Sequence, residues 1–468
     1  MVTATPANCS VAASSREPGD TEESMAKLLP DDVLTIILRC PAPHDLAMSR
    51  CVCKLWCTII DTHRMLRVDL LPHSVGGIFI NFHDLGLSEF FARPSTGPTI
   101  SGNINYLPLT SIVRGHCNGL LLLYSHISRP GMKQFYVVNP ATRQWVQLPP
   151  PPRPDIGIMH LDNLYLAFDP TLSSHFEVFQ IPYVDVFRHR SELNPAIEGI
   201  EWPPSTCVLH VFSTRTRQWE ERSFVREGEA AGSLAIIRRD FPNFLHNAVY
   251  CRGVLYVRCQ TNFVMRISLS DGKYRIIKPP VEIERYEESN IYMGLSQKRV
   301  YCTFFDDPDI IYILDESYGE MEWVQKNAIS CLVIHAFQQT DGPWTLQDIT
   351  IMNILMRTDM TTAIEEQNFD WDSDNDNFIN TTDERNLRYG RITFLGFHPY
   401  KEVVFSSHSL SRGLAYHLNT MKFRGFGKIQ DLGNLGPKYY GGCMGIQPFI
   451  EESFLCTPWM GEFPKDIN

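Results

Sequence analysis

The sequence Thr-Arg-Gln-Trp occurs twice in this chain, at residues 142–145 and at residues 216–219. Each copy follows a short run of β-forming residues, at 135–138 in the first case and at 208–212 in the second. Turn residues that follow such a run, with a returning apolar segment behind them, indicate a β-hairpin. A hairpin that recurs with its turn sequence unchanged indicates an architecture built from repeated β units.

Other short segments of the chain repeat in the same way. Residues 251–257 resemble residues 117–123, because both have Gly two positions after Cys and then continue as an apolar strand. A related pair lies at 166–170 and 394–399, and further strand pairs are 299–304 with 310–314 and 402–405 with 414–418. Four-stranded units that recur roughly every 40–50 residues are the building blocks of propellers.

The repeats therefore predict an all-β propeller over residues 111–440, with about six blades. Residues 67–110 are expected to be a connector that holds the first strands, beginning at 76–80. The last segment, 441–468, is expected to close the propeller or to pack on it. Trp145 and Trp219 are expected to pack between blades, where large side chains are needed, and not to bind a ligand.

Residues 25–66 have a helical pattern instead of a β pattern. Pro30 suits a first helical turn, because the N–H that it lacks would be unpaired there. Asp31 and Asp32 place negative charge where the helix dipole favours it. The apolar residues that follow recur at helical spacing as one stripe, formed by Val33, Leu34, Ile37 and Leu38. The run Cys-Pro-Ala-Pro at residues 40–43 ends this helix.

Two more helices are predicted after this break. Asp45 begins the second helix, which carries Leu46, Ser49 and Val52. A third apolar stripe follows, formed by Val52, Trp56, Ile59 and Ile60. About forty residues with so much apolar surface cannot bury all of it internally, so part of this surface has to meet another domain or another protein.

The helical stretch resembles an F-box, in the form common among plant F-box proteins. The matching residues are the run Leu-Pro-Asp-Asp-Val-Leu at 29–34, Ile37-Leu38, and Ser-Arg-Cys-Val-Cys-Lys-x-Trp at 49–56. The resemblance implies a three-helix F-box at residues 25–66 that docks on a Skp-family adaptor, and through it on cullin and RING subunits. The residues that it implies for adaptor binding are Leu29, Pro30, Val33, Leu34, Ile37, Leu38, Leu46, Val52 and Trp56.

Residues 110–440 resemble the F-box-associated, kelch-like propeller domain of plant F-box proteins. The matching segments are Gly-x-Cys-Asn-Gly-Leu-Leu at 115–121, Asn-Pro-Ala-Thr-Arg-Gln-Trp at 139–145, and Phe168-Asp169-Pro170. The double-Gly signature of kelch repeats is absent from the sequence, so "kelch-like" refers here to the architecture alone. The resemblance implies that the propeller holds a target protein for ubiquitination.

Composition restricts the compartment and the kinds of partner. A formal net charge of −11 argues against nucleic acid as the main partner, because phosphate binding requires basic patches. No apolar run reaches transmembrane length, and no secretory signal follows Met1. The 13 Cys residues are odd in number and irregular in spacing, which favours free thiols in a reducing compartment. We therefore expect a protein of the cytoplasm or nucleus, with a disordered tail at residues 1–24.

Neither a metal site nor a catalytic site is expected. Cys51, Cys53 and Cys57 have no fourth ligand nearby in sequence, so helical packing is favoured over zinc binding. The acidic loop around Asp372 resembles a calcium loop, but it has Asn377 where that loop needs Gly and Asp383 where it needs Glu. Isolated His residues lack catalytic partners in sequence; they are His116, His175 and His335. No cofactor is expected either.

The leading hypothesis is a non-enzymatic substrate-recognition subunit of an SCF-type E3 ubiquitin ligase. One alternative is an F-box scaffold or inhibitor that acts outside the ligase, which recovery of adaptor without cullin would favour. The other alternative is a carbohydrate-active propeller enzyme, which a metal or cofactor in the purified protein would favour.

Overall fold

The computed structural model describes most of the β-patterned region and part of the helical region. The described residues are 30–38, 49, 52–63, 75–82, 88–93, 100, 102–109, 111–126, 133–152, 158–159, 163–184, 198–238, 247–280, 291–304, 310–328, 344–347, 392–408, 412–429, 449–459 and 461–464. The chain divides into two compact units, Met1–His73 and Ser74–Asn468, which we call the helical unit and the β unit.

The helical unit contains helices α1 (Asp31–Leu38) and α2 (Lys54–Thr62) within its described residues. The carbonyl of Pro30 accepts hydrogen bonds from the amides of Val33 and Leu34, at 3.0 and 3.1 Å, so Pro30 stands at the start of α1 as predicted. The predicted second helix lies outside the described residues except for Ser49, which is helical, and Val52, which lies in a turn.

A small apolar core joins the two helices. Leu34 and Leu38 of α1 are buried against Ile59 and Ile60 of α2, and Leu55 and Trp56 pack on this cluster while staying half-buried. The i, i+4 spacing of Leu34 and Leu38 places both side chains on one face of α1, which is why they reach the same cluster.

The β unit contains 28 strands in its described residues. They are β1 (Gly77–Phe82), β2 (Ser88–Ala92), β3 (Ser111–Cys117), β4 (Leu120–His126), β5 (Lys133–Asn139), β6 (Gln144–Gln147), β7 (Ile158–Met159), β8 (Leu164–Ala167), β9 (Glu177–Gln180), β10 (Tyr183–Val184), β11 (Glu201–Trp202), β12 (Thr206–Ser213), β13 (Gln218–Arg226), β14 (Gly232–Ser233), β15 (Ala248–Cys251), β16 (Val254–Arg258), β17 (Val264–Ser268), β18 (Lys273–Ile277), β19 (Ile291–Ser296), β20 (Arg299–Phe304), β21 (Ile310–Asp315), β22 (Glu322–Ala328), β23 (Trp344–Gln347), β24 (Ile392–Phe397), β25 (Val403–His408), β26 (Arg412–His417), β27 (Lys422–Lys428) and β28 (Ile450–Cys456). A short helix, α3 (Leu234–Ile237), follows β14.

These strands form two eight-stranded sheets, two four-stranded sheets and two small pairs among the described residues. Each eight-stranded sheet consists of two antiparallel sets of four strands, joined by one parallel pair, β13 with β18 or β23 with β27. The larger sheets thus contain six antiparallel groups of four strands. In spatial order these are group 1 (β28-β1-β2-β23), group 2 (β3-β4-β5-β6), group 3 (β8-β9-β12-β13), group 4 (β15-β16-β17-β18), group 5 (β19-β20-β21-β22) and group 6 (β24-β25-β26-β27).

The first strands of the groups contact one another in a closed cycle, running β28, β3, β8, β15, β19, β24 and back to β28. Hydrogen bonds cross this cycle. The Tyr292 hydroxyl on β19 donates to the Ser453 carbonyl on β28 at 2.6 Å, and the Ser453 hydroxyl donates to the Leu395 carbonyl on β24 at 2.8 Å. A cycle of four-stranded antiparallel groups is the arrangement of a propeller, so the β unit is propeller-like, as the repeats predicted.

Apolar side chains from adjacent groups form the core between them. Val249 and Tyr256 of group 4 share one buried cluster with Met293 and Val300 of group 5. Another cluster joins groups 1 and 2, and it includes Phe79, Phe90 and Tyr136. Neighbouring groups therefore bury apolar faces against each other, and such burial is the main source of stability for repeated units.

Repeated sequences adopt repeated backbone conformations. Arg143 and Arg217, the second residues of the two Thr-Arg-Gln-Trp copies, have φ values of 58° and 59°. The turn after Cys117 has φ values of 45° at Asn118 and 93° at Gly119, and the matching turn after Cys251 is also left-handed at both positions. The hairpins predicted from these repeats are confirmed.

The two repeated Trp residues pack within and between groups. The ring of Trp145 contacts that of Tyr136 with centroids 5.6 Å apart, and the ring of Trp219 lies 5.7 Å from that of Phe212. The indole N–H of Trp219, in group 3, donates to the Pro149 carbonyl next to group 2 at 3.1 Å. Trp219 thus links two neighbouring groups, in agreement with the structural role expected for it.

The C-terminal segment joins both ends of the β unit. Strand β28 pairs with β1 from Gly77 opposite Cys456 to Phe82 opposite Ile450. Beyond β28, Trp459 packs on Phe168 of group 3 with ring centroids 4.8 Å apart. Asn139 of group 2 donates from Nδ2 to the carbonyls of residues 459 and 461, at 3.1 and 2.9 Å. This segment therefore holds groups 1, 2 and 3 together.

Candidate functional site

Helix α1 has two apolar faces with opposite environments. Its inner face consists of Leu34 and Leu38, which are 2% and 1% exposed. Its outer face consists of Val33, Ile36 and Ile37, which are 38%, 63% and 43% exposed. We call these three residues the exposed aliphatic face. Their i, i+3 and i+4 spacing places them side by side on the helix surface.

Exposure of these three aliphatic side chains to water is unfavourable when no partner covers them. Covering one aliphatic side chain of this size stabilises a complex by roughly 1.5–3 kcal/mol when the side chain becomes fully buried. Asp31, at the start of the helix, is exposed, and neither α1 nor α2 has a basic residue in its last turn. The exposed aliphatic face is therefore suited to an apolar surface of another protein, with the acidic helix start at its edge.

The structure divides the residues that the sequence assigned to one site. Pro30, Val33, Ile37 and Val52 are exposed, whereas Leu34 and Leu38 are buried in the helical core and Trp56 is half-buried against it. Leu29 and Leu46 lie outside the described residues. The buried pair and Trp56 can therefore support the surface from beneath, while the exposed residues are available for direct contact.

Sequence reasoning missed Ile36, the most exposed member of the aliphatic face. Its signal was present, since Ile36 stands three residues after Val33 at helical spacing. Ile36 was missed because the predicted stripe contains Leu34 and Leu38, and Ile36 lies on the opposite side of the helix from these leucines.

Other candidate sites lack a constellation of ligands in the part of the chain that the structure describes. No group of three or more His, Cys, Asp or Glu side chains stands together there as a metal site. Cys53 and Cys57 are half-buried, and Cys51 lies outside the described residues, as do His335 and the acidic loop around Asp372.

The two described His candidates have structural contacts. Burial lowers the pKa of His116 to about 4, and its ring lies 6.2 Å from that of Phe454 on the closing strand. His175 has its Nδ1 atom 3.4 Å from the Thr214 hydroxyl, next to a turn of group 3.

None of the helices in the described part of the chain has the length and apolar character that a membrane span requires.

Comparison with known proteins agrees with this geometry at the N-terminal end. The family model of the F-box domain matches residues 27–67. A protein of Arabidopsis thaliana described as an F-box protein is 25% identical to the chain over 279 residues. That match covers 55% of this chain and 62% of the Arabidopsis protein.

Solved structures show weaker likenesses. A member of the DUF4221 family from Bacteroides vulgatus has 11% identity and a TM-score of 0.32, with 76% of this chain and 87% of that chain covered. YCF48 bound to a D1 peptide has 8% identity and a TM-score of 0.32, with coverage of 75% and 81%. TM-scores of this size do not establish a common fold.

The match at residues 27–67 includes both described helices, α1 and α2, and the whole exposed aliphatic face. The chain therefore contains an F-box domain at residues 27–67, which is followed by a propeller-like β domain.

Proposed function

We propose that this chain is the substrate-recognition subunit of an SCF-type E3 ubiquitin ligase. The observation that carries the proposal is the exposed aliphatic face of α1, which lies within the F-box match and has a buried core behind it. A Skp-family adaptor would cover this face, with Pro30 and Val52 as further contacts, and would connect the chain to cullin and RING subunits.

We propose further that the β unit is a six-bladed, kelch-like propeller, in which groups 1 to 6 are the blades. The closed cycle of first strands supports this count, as does the pairing of β28 with β1 between the two ends of the unit. A target protein would bind on the loops or clefts of this propeller, because loops carried on a rigid scaffold are common binding sites.

The mechanism of such a subunit is effective concentration. A captured target would be held close to the ubiquitin-loaded conjugating enzyme, so that an encounter between separate molecules becomes a reaction within one assembly. No bond is broken by this chain, which is an adaptor and not an enzyme under this proposal. Such a role places the protein in the cytoplasm, the nucleus or both.

Separate expression of the two units tests where adaptor binding resides. Residues 1–73, co-expressed with a Skp-family adaptor, are expected to co-purify with it, because the exposed aliphatic face needs that partner to be covered. Residues 74–468 are expected not to retain the adaptor. Retention of the adaptor by the β unit would contradict the assignment of adaptor binding to the helical unit. Failure of the adaptor to bind the full chain or residues 1–73 would contradict it as well.

A further inference from the structure

Two Trp residues hold equivalent positions in different groups of the β unit. Trp219 is the second residue of β13, the outermost strand of group 3, and Trp323 is the second residue of β22, the outermost strand of group 5. Each faces a Leu or Phe on the third strand, since Trp219 is paired with Phe212 and Trp323 with Leu314. The two indole rings therefore have matching places in the repeated architecture.

At Trp219, a residue next to the preceding group accepts a hydrogen bond from the indole. Its indole N–H donates to the carbonyl of Pro149 at 3.1 Å. Pro149 stands two residues after the end of β6, which is the outermost strand of the preceding group, and it begins the run Pro-Pro-Pro-Pro at 149–152. The first residue of a proline-rich segment thus accepts a hydrogen bond from group 3 at the junction between groups 2 and 3.

The junction between groups 4 and 5 has an equivalent Trp and equivalent prolines, but no hydrogen bond joins them. Pro279 and Pro280 follow β18, the outermost strand of group 4, with Pro279 two residues after its end. Pro279, Pro280 and Trp323 line an open cleft of about 620 Å³. Among the described residues, the indole N–H of Trp323 has no hydrogen-bond acceptor, although the Nε1 atom is shielded from solvent.

The walls of this cleft combine apolar side chains with charges, several of which are paired. Ile276 and Met321 contribute apolar surface. Glu227 accepts hydrogen bonds from Lys273 and Arg275, at 2.6 and 2.8 Å, and these bonds lower its pKa. Lys278 and Glu229 form an exposed ion pair at 3.3 Å. Because Glu322 also lines the cleft, an occupant without acidic side chains is favoured.

We propose that this cleft is a binding site for a proline-rich, extended segment of a partner protein. The segment would lie beside Pro279, Pro280 and Trp323 and supply a backbone carbonyl to Trp323 Nε1, as the Pro149 carbonyl does for Trp219. A polyproline II segment suits this role, because its carbonyls have no internal hydrogen bonds and its rings pack well on aromatic side chains. A volume of this size lies within the usual range of ligand sites.

Binding requires a rearrangement that exposes the Trp323 Nε1 atom, which is covered in the structure. Met321 lines the cleft, and methionine side chains are flexible. The site concerns the β unit alone, so its test is independent of adaptor docking by the F-box.

The test is direct titration of the full chain with a labelled peptide that repeats Gln-Leu-Pro-Pro-Pro-Pro, the sequence at 147–152, followed by fluorescence anisotropy. Saturable binding is expected, and a peptide with every Pro replaced by Ala should not bind. Trp323→Phe keeps the aromatic ring but removes the donor, and it is expected to weaken binding by up to about tenfold. The same variant is expected to leave the melting temperature unchanged, because the lost N–H has no partner in the free protein.

Trp219→Phe is the matched control. It removes the hydrogen bond to Pro149, so it is expected to lower the melting temperature while the affinity for the peptide stays as in the parent chain. Absence of saturable binding to the parent chain, or equal affinity in the parent and the Trp323→Phe variant, would overturn the proposal. Self-association of the chain that free peptide reverses would identify a second copy as the occupant and would contradict a separate partner.

Discussion

Replacing Val33 and Ile37 by Glu is expected to lower the affinity for a Skp-family adaptor by more than about a hundredfold. The two side chains are 38% and 43% exposed on α1, and both belong to the exposed aliphatic face. Losing the burial of two aliphatic side chains removes roughly 3 kcal/mol or more, and two carboxylates placed against an apolar surface weaken binding further. Calorimetric titration of the purified chain with the adaptor measures this loss.

The controls separate the surface from the core. Met421→Glu introduces one carboxylate at an aliphatic side chain of the β unit that is 65% exposed, and it should leave adaptor affinity unchanged. The double variant should keep the helical content of the parent chain, since Leu34 and Leu38 still form the core. Parent-like affinity in the double variant would show that the exposed aliphatic face is not the docking surface.

A chain that ends at residue 448 is expected to lose the folded β unit. The deletion removes β28, which pairs with β1 and contacts β3 and β24. It also removes large buried side chains, namely Ile450, Phe454, Leu455, Trp459 and Phe463. Truncating a single one of these typically costs about 2–5 kcal/mol, whereas a whole domain is stable by about 5–15 kcal/mol. Near-ultraviolet circular dichroism and thermal unfolding would detect the loss.

The matched control is a chain that ends at Pro464. It keeps β28 and both aromatic residues of the segment beyond it, and it is expected to unfold at the temperature of the full chain. If the chain that ends at residue 448 unfolded cooperatively at the same temperature as this control, β28 would not be needed to close the β unit.

Much of the β unit was predictable because its strands are bounded by local turn signals. The Asn118-Gly119 and Arg252-Gly253 turns need left-handed backbone at both positions, and such turns are common at tight hairpins. The strand after each turn was therefore placed correctly from sequence, as at 120–123, which the structure shows within β4. Local turn residues were sufficient to predict strand pairing wherever consecutive strands pair with one another.

Group 1 could not be predicted in this way, because three distant parts of the chain build it. Its outermost strand, β23, consists of only four residues and pairs with β2, which lies far earlier in the sequence. Pairing over such a distance has no local signal, since it depends on where the intervening groups bring the two segments. The closing role of β28 was an expectation from architecture and not from its own residues.

The helical unit shows a second limit of sequence patterns. Val33 and Ile37 differ from Leu34 and Leu38 by about 100° around the helix, so all four fit one broad apolar stripe. Only the position of α2, which places Ile59 and Ile60 beside the leucines, decides which half of that stripe is interior. In the same way, the likeness of Trp323 to Trp219 has no motif in sequence, and it emerges only from their equivalent strand positions.

The most direct test of the proposed ligase role is retention of the purified full chain on immobilised cullin, with and without the Skp-family adaptor. We expect retention only when the adaptor is present, and loss of retention for the Val33→Glu, Ile37→Glu double variant under the same conditions. Retention that does not depend on the adaptor, or a chain that binds the adaptor yet is never recovered with cullin, would contradict the proposed ligase role.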